Sequence, residues 1–306
     1  MTELASHLSR GRGPLFENMP AITGFAFGDW QITMVSDGKL ELGSPSNWFV
    51  GLSGEDLEAV MRHHFLKTGE VSLSQNIMLA RRNGRTVMFD TGTGADPMLG
   101  PAAGKLMDNL RIAGTDPGSI DDIVLSHGHP DHIFGLVDQA GALNFPNAQV
   151  HVSEIDYRYF SDLANVSDPS IGAFIEKSKR IFGALAERLS MLVDGKEAVA
   201  GITALAAPGH TMGHMVFALT SGNRTLINAA DIAHHFAVFM RHPEASFVSD
   251  MDRALMAATR TRLFDRMSTD GIPFVGYHFP FPGLGHVAKA AQGFRYEPAS
   301  LDGIGF

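Results

Sequence analysis

SHGHPDHIFG, residues 126–135, places three histidines and an aspartate within six positions, directly after the apolar run Ile123-Val124-Leu125. An ordinary turn gains nothing from so many imidazoles. With 123–125 read as a buried strand, residues 126–132 form the loop at its carboxyl end, where α/β sheets hold their ligands. Imidazole nitrogen and carboxylate oxygen are ligands that zinc, manganese, iron and cobalt share, and alternate positions of a tight loop can aim two imidazoles at one ion. His127 and His129 form such a pair, while Asp131 and His132, turned the other way, are placed to supply a second ion.

Later strand ends offer the remaining donors. APGHTMGH sets His210 after an apolar run and a Pro-Gly turn, LINAADIAHH ends a strand on Asp231, and PFVGYHFPFPG ends one on His278. The text around them alternates strand and helix. ITGFAFGDWQITMVSDGKLEL turns at Gly28-Asp29, and NIMLARRNGRTVMFDTG turns at Asn83-Gly84, the strongest short hairpin signal. GEDLEAVMRHHFL, AGKLMDNLRIAG, DPSIGAFIEKSKRIFGALAERL (starting at Asp168-Pro169) and SDMDRALMAATRTRLFDRMS read as helices. DDIVLS, NAQVHVS, MLVDG, GITALAAPG, MVFALTSG, TLINAAD and a final PFVGYH read as strands. Strands, helix, strands, helix recur in each half, which suits two sheets packed face to face with helices outside. A loose arm is expected over residues 1–20 and a single domain over 21–306, since no linker or low-complexity tract divides the chain.

HGHPDH, PGHTMGH, the strand-terminal Asp231 and the late His278 together resemble the metallo-β-lactamase superfamily. The resemblance spans about residues 24–298 and implies an α/β fold, the αβ/βα sandwich, with two mixed β-sheets packed face to face and a two-metal site along its edge. Carried over by position, His127, His129 and His210 correspond to the ligands of one metal. Asp131, His132 and His278 correspond to those of the other, and Asp231 to the carboxylate that bridges them. VSDG (35–38), HFPFPGLGHV (278–287) and GFRYEP (293–298) are similar to the branch of methyl parathion hydrolase and related lactonases and esterases. A bridging carboxylate argues against lactam cleavage, and His129, where the flavodiiron branch has a glutamate, argues against that redox role.

The whole chain is consistent with this reading. It has 306 residues, 44% of them apolar, enough for a substantial core. It has no cysteine, which excludes disulfides and thiolate ligands, so any metal is held by nitrogen and oxygen. The net charge is -9 with no basic stripe, so nucleic acid is not an expected partner. No apolar run approaches the roughly 18 residues of a membrane span, and the polar opening lacks a secretory h-region. A cytoplasmic protein without a membrane partner is expected.

The resemblance implies a dinuclear metal-dependent hydrolase with two divalent ions, zinc first and manganese, iron or cobalt as alternatives. These would share a hydroxide that attacks an ester, lactone or phosphotriester. The alternatives on the same fold are a thioester hydrolase and an iron-dependent persulfide dioxygenase. The expected partner is a small-molecule substrate, and the organophosphate-cleaving relatives imply a homodimer. His234 stands where related lactonases carry a proton-donating tyrosine, and Asp131 is a second residue for handling protons. Tyr157, Tyr159, Phe160, Phe279 and Phe281 are the aromatic candidates for the substrate wall, with ordinary packing as the competing reading. His214 is expected to brace the loop around His210 through a hydrogen bond. Asp90-Thr91-Gly92 reads as a strand-ending turn, because no partner triplet exists for aspartic-protease chemistry.

Overall fold

The computed structural model describes residues 21–162, 164–165 and 172–300. The expected arm over 1–20, the helix start at Asp168-Pro169 and the last residues of the expected domain, 301–306, lie outside the described residues.

One seven-stranded sheet has the order β1 (Ile22–Phe27), β2 (Trp30–Gly43), β4 (Val71–Arg82), β5 (Arg85–Phe89), β6 (Asp122–Val124), β7 (Gln149–Ser153) and β8 (Leu189–Leu192). Its first pairings are antiparallel and its last three, from β5 to β8, are parallel. The second sheet has the order β16 (Phe294–Pro298), β15 (Leu284–Lys289), β14 (Phe274–Gly276), β12 (Arg224–Ala230), β11 (Met215–Ser221), β10 (Ile202–Ala206) and β9 (Glu197–Val199). Only β12 and β14 pair in parallel there. A two-strand ladder joins β3 (Phe49–Val50) to β13 (Ser246–Phe247).

Both expected hairpins form. Asn83 and Gly84 have φ of 53° and 77°, the paired positive angles of a type I′ turn, and Arg82 faces Arg85 across it. Gly28, at φ 56°, turns the first hairpin, and a Cβ there would meet Ser221 Oγ at 2.0 Å.

Alternating side chains divide between the two faces of each strand. Met78, Val87 and Phe89 point inward and meet Phe217, Leu219 and Leu226 of the second sheet in one inter-sheet core. Leu79, Met88 and Val150 point outward under α2 (Leu106–Ile112), α4 (Glu154–Ser161) and α5 (Gly172–Leu185). Val216 and Ile227 do the same under α1 (Gly54–His63), α6 (Val238–Arg241) and α7 (Arg253–Asp270). The result is helix, sheet, sheet, helix, as expected. Short helix α3 (Pro130–Ile133) follows β6.

PFVGYH is not the final strand. β15 and β16 add two antiparallel strands beyond it, built from LGHVAK and FRYEP, whose glycine, charges and proline hide the alternation. Among the described residues no helix is long and apolar enough to cross a membrane.

Phe217 is fully buried in the inter-sheet core, with its ring 5.6 Å from that of Phe89. Phe217→Ala is expected to destabilise the fold by about 3–5 kcal/mol, read as a lowered urea midpoint at unchanged slope.

Candidate metal centre

The carboxyl ends of β5, β6 and β12, and the turns after β10 and β14, open on the same edge of the sandwich. The seven expected ligands meet there. His127 Nε2 and His210 Nε2 each lie 2.9 Å from His129 Nδ1, so three imidazole nitrogens converge on one point. Beside them, Asp131 Oδ2 is 3.5 Å from His132 Nε2 and 3.4 Å from His278 Nε2. Asp231 Oδ2 joins the two groups, 3.4 Å from His132, 3.5 Å from His210 and 3.2 Å from His278.

The local backbone explains the aim of these groups. Asp131 and His132 lie on α3, with His129 as its N-cap, so the loop becomes helical after the first pair and turns the second pair away. A register shift between Asn228 and Ala230 precedes the last pair of the β12 to β14 ladder, Ala230 with Gly276, and Ala230 has φ 44°. This bulge re-aims the chain and delivers Asp231 to the edge.

Most of the ligand imidazoles are held from behind. His127 Nδ1 meets Ser126 Oγ at 2.9 Å, His132 Nδ1 meets Asp90 at 3.0 Å, His210 Nδ1 meets Asp250 at 2.9 Å, and His278 Nδ1 donates to Ser74 O at 2.8 Å. Asp90 also accepts from Ser126 N and Ser126 Oγ, both at 2.8 Å. The Asp90 turn therefore does more than end a strand. Tyr277 Oη donates to Asp131 O at 2.6 Å, and its ring lies 4.1 Å from that of His132. Asp156 ties the two ligand loops together, accepting from Gly128 N, Thr211 Oγ1 and Gly213 N at 3.0, 2.7 and 2.8 Å. The supporting roles of Asp90, Asp250, Asp156 and Tyr277 are not legible in the sequence. Only Asp90 carried a signal, an acid ending an apolar run.

His214 braces the loop that carries His210, as expected: its Nδ1 donates to Ala207 O at 3.1 Å, at the start of that loop, while its Nε2 also accepts from Asp231 N at 3.2 Å and Asp250 holds the His210 ring itself. His234 lies at the site, with Nε2 3.3 Å from Asp231 Oδ2 and its ring stacked 4.1 Å from Phe247. Among the aromatic candidates, Phe160 is wholly buried and packs beneath the ligand loop, where a Cβ on Gly128 would meet its ring at 2.0 Å. Phe279 is buried against Phe274 and Tyr296, Phe281 packs on the inter-sheet core, and Tyr157 packs on Phe182. Tyr159 lies edge-on to Phe160. Phe160 and Phe279 are therefore packing residues, not walls of an opening.

The electrostatics suit cation binding. Burial, reinforced by neighbouring imidazoles, holds His127 and His129 well below the ordinary range, and burial lowers His210 to about 4. All three are in the neutral form that ligates. Burial alone would lower His132 and His278 as well, but Asp231 and Asp131 outweigh it and raise both. Burial opposes ionisation of Asp231, yet His278, His132 and His234 hold it well below the usual carboxylate range. Asp231 Oδ1 and His132 Nε2 are buried without hydrogen-bond partners. Such orphans cost about 1–3 kcal/mol each unless another group satisfies them. Converging lone pairs, all nitrogen and oxygen, with orphaned donor atoms between them, fit two divalent ions.

Comparison with known proteins agrees. A profile of the family described as "Metallo-beta-lactamase superfamily" matches residues 72–280. A Mycobacterium tuberculosis protein named "Probable metallo-hydrolase" is 23% identical over 254 residues, which is 72% of this chain and 77% of that protein. Two solved structures are similar at 26% identity, each covering 92% of this chain and 99% of the other. One is AidC, a dizinc quorum-quenching lactonase in complex with a homoserine product, at TM-score 0.86. The other is the hydrolase AbOPH, at TM-score 0.85.

Asp250→Ala and Asp90→Ala are each expected to weaken retention of divalent metal by about 10–100-fold, measured by competition with a chromophoric chelator. Unchanged affinity in both would separate these carboxylates from metal holding.

Proposed function

The chain belongs to the metallo-beta-lactamase superfamily, and we propose that it is a dinuclear metal-dependent hydrolase whose small-molecule substrate is a lactone, ester or phosphotriester. The observation that carries this reading is Asp231, whose one carboxylate oxygen lies within 3.5 Å of donors from both ligand groups. Two divalent ions held there, zinc being the first choice for a nitrogen and oxygen set, supply a Lewis acid and lower the pKa of water toward about 7.

The chain's own residues set the rest. Asp131 Oδ2 lies between His132 and His278 and can take up a proton as attack proceeds. His234 Nε2, 3.3 Å from Asp231 with its ring stacked on Phe247, would return a proton to the leaving oxygen. Burial of every ligand except the partly open His129 excludes bulk water, so charge developing in the transition state is strongly stabilised. Lactones come first among the substrates because the similar AidC is a lactonase.

The test is initial rates on an acyl lactone, an aryl ester and an aryl phosphotriester, with metal-loaded protein and after chelation. Cleavage of one of them that chelation abolishes and zinc restores is expected. No cleavage by metal-replete protein, with one iron per chain, would replace this reading with oxidation. His234→Ala is expected to slow a substrate with a poor alkoxide leaving group by about 10²–10⁴-fold, and an aryl leaving group far less.

A further inference from the structure

Arg260, on α7, is fully buried and directs its donors at main-chain carbonyls. Its Nε donates to Ile232 O at 2.5 Å, and its Nη1 donates to Pro243 O at 2.9 Å and to Ala245 O at 2.6 Å. Nη2 has no hydrogen-bond partner among the described residues and faces Asp250 Oδ2 across 3.8 Å. The guanidinium carbon lies 4.2 Å from the centre of the Phe239 ring. Burial lowers Arg260 to about 10, so the group is charged at neutral pH. A buried charge without a close carboxylate is costly, and an apolar side chain of similar size would suit packing alone better.

The carbonyls it holds frame the segment that carries the site. Ile232 directly follows Asp231 and lies two residues before His234, while Ala245 lies two residues before Phe247. Phe247 is the ring that stacks on His234, so one guanidinium holds both partners of that stack from behind. Asp250 completes the junction, with Oδ1 on His210 Nδ1 at 2.9 Å and Oδ2 accepting from Phe247 N at 2.8 Å. Thr259, the neighbour of Arg260, donates to Pro208 O at 2.8 Å, in the turn that leads to His210. Met251 N and Asp252 N bond to the carbonyls of His210 and Gly209. Adjacent residues of one helix thus reach both loops, whose His210 and His234 rings are 4.6 Å apart.

We propose that Arg260 is a positioning residue of the metal centre, clamping both ends of the segment 232–245 so that His234 stays beside Asp231 and Asp250 stays behind His210. Lysine cannot take its place, because one compact ammonium group cannot span three carbonyls as the planar fork does. The kinetic part of the proposal rests on the hydrolase reading, and the metal-holding part does not.

The experiment uses the full-length chain and the variants Arg260→Lys and Arg260→Met, with Phe217→Ala as a destabilised control remote from the site. Zinc affinity, read by competition with a chromophoric chelator, should fall about tenfold in Arg260→Lys and at least as far in Arg260→Met. Phe217→Ala should keep wild-type affinity at an equal or greater loss of Tm. At saturating zinc, Arg260→Lys should lower kcat on ethyl butyrate about tenfold and on p-nitrophenyl butyrate less than twofold, at unchanged KM. Added to His234→Ala, it should cost nothing further on the ethyl ester. Wild-type zinc affinity in both Arg260 variants, or an equal loss in Phe217→Ala, overturns the proposal. So does a rate loss that is equal on the two esters or additive with His234→Ala. If wild type cleaves neither ester, the hydrolase reading fails and zinc affinity alone decides. Failure of both Arg260 variants to fold, judged by circular dichroism, overturns the positioning role, since the whole fold would then need the residue.

Discussion

One carboxylate oxygen organises this molecule. Asp231 Oδ2 has four imidazole nitrogens, from His132, His210, His234 and His278, at 3.2–3.5 Å. A charge buried among imidazoles is tolerable only where each partner is held in place, because the low dielectric penalises any unpaired group. Those partners come from both sheets, so the two sheets must bring their carboxyl ends to a common edge. The sandwich supplies that edge, and the bulge at Ala230 and the backbone bond from Asp231 to His214 deliver the carboxylate to it.

Rigidity around this point comes from a layer of acids that face no ligand site themselves. Asp156, on α4, reaches the loop of His127 and His129 and the loop of His210 with one carboxylate. Burial raises it to about 6 even though Thr211, Gly128 and Gly213 bond to it and pull the other way. The close approach leaves no room for side chains on the loops: a Cβ on Gly213 would meet Ser153 Oγ at 2.2 Å and Asp156 Oδ1 at 2.5 Å. Glycine at 213 thus follows from the crossing of loop and helix, as glycine at 128 follows from the ring of Phe160.

The ligand set was legible because imidazoles at close spacing are chemically unusual wherever they occur. The hairpins and most strands were legible from Asn83-Gly84, Gly28 and alternating apolar residues. The supporting acids were not. Asp90 lies 36 residues from Ser126, and Asp250 lies 40 from His210, so neither pairing is legible before the fold closes, even though Asp90 ends an apolar run. Proximity in sequence misled the aromatic assignments. Phe279 follows a ligand directly, yet the turn after β14 folds its ring back over Gly276, where a Cβ would meet it at 2.7 Å, and sends it into the core. The strands at 284–289 and 294–298 are masked in the sequence because glycine, lysine and proline interrupt their pattern.

The match to the family spans residues 72–280, and every ligand falls within it. Their positions are set by strand ends and buried acids that cannot shift without unpairing charges. His278 shows the constraint at its tightest, with Nε2 toward Asp231 and Nδ1 on the carbonyl of Ser74, so its ring cannot turn without losing one partner or the other.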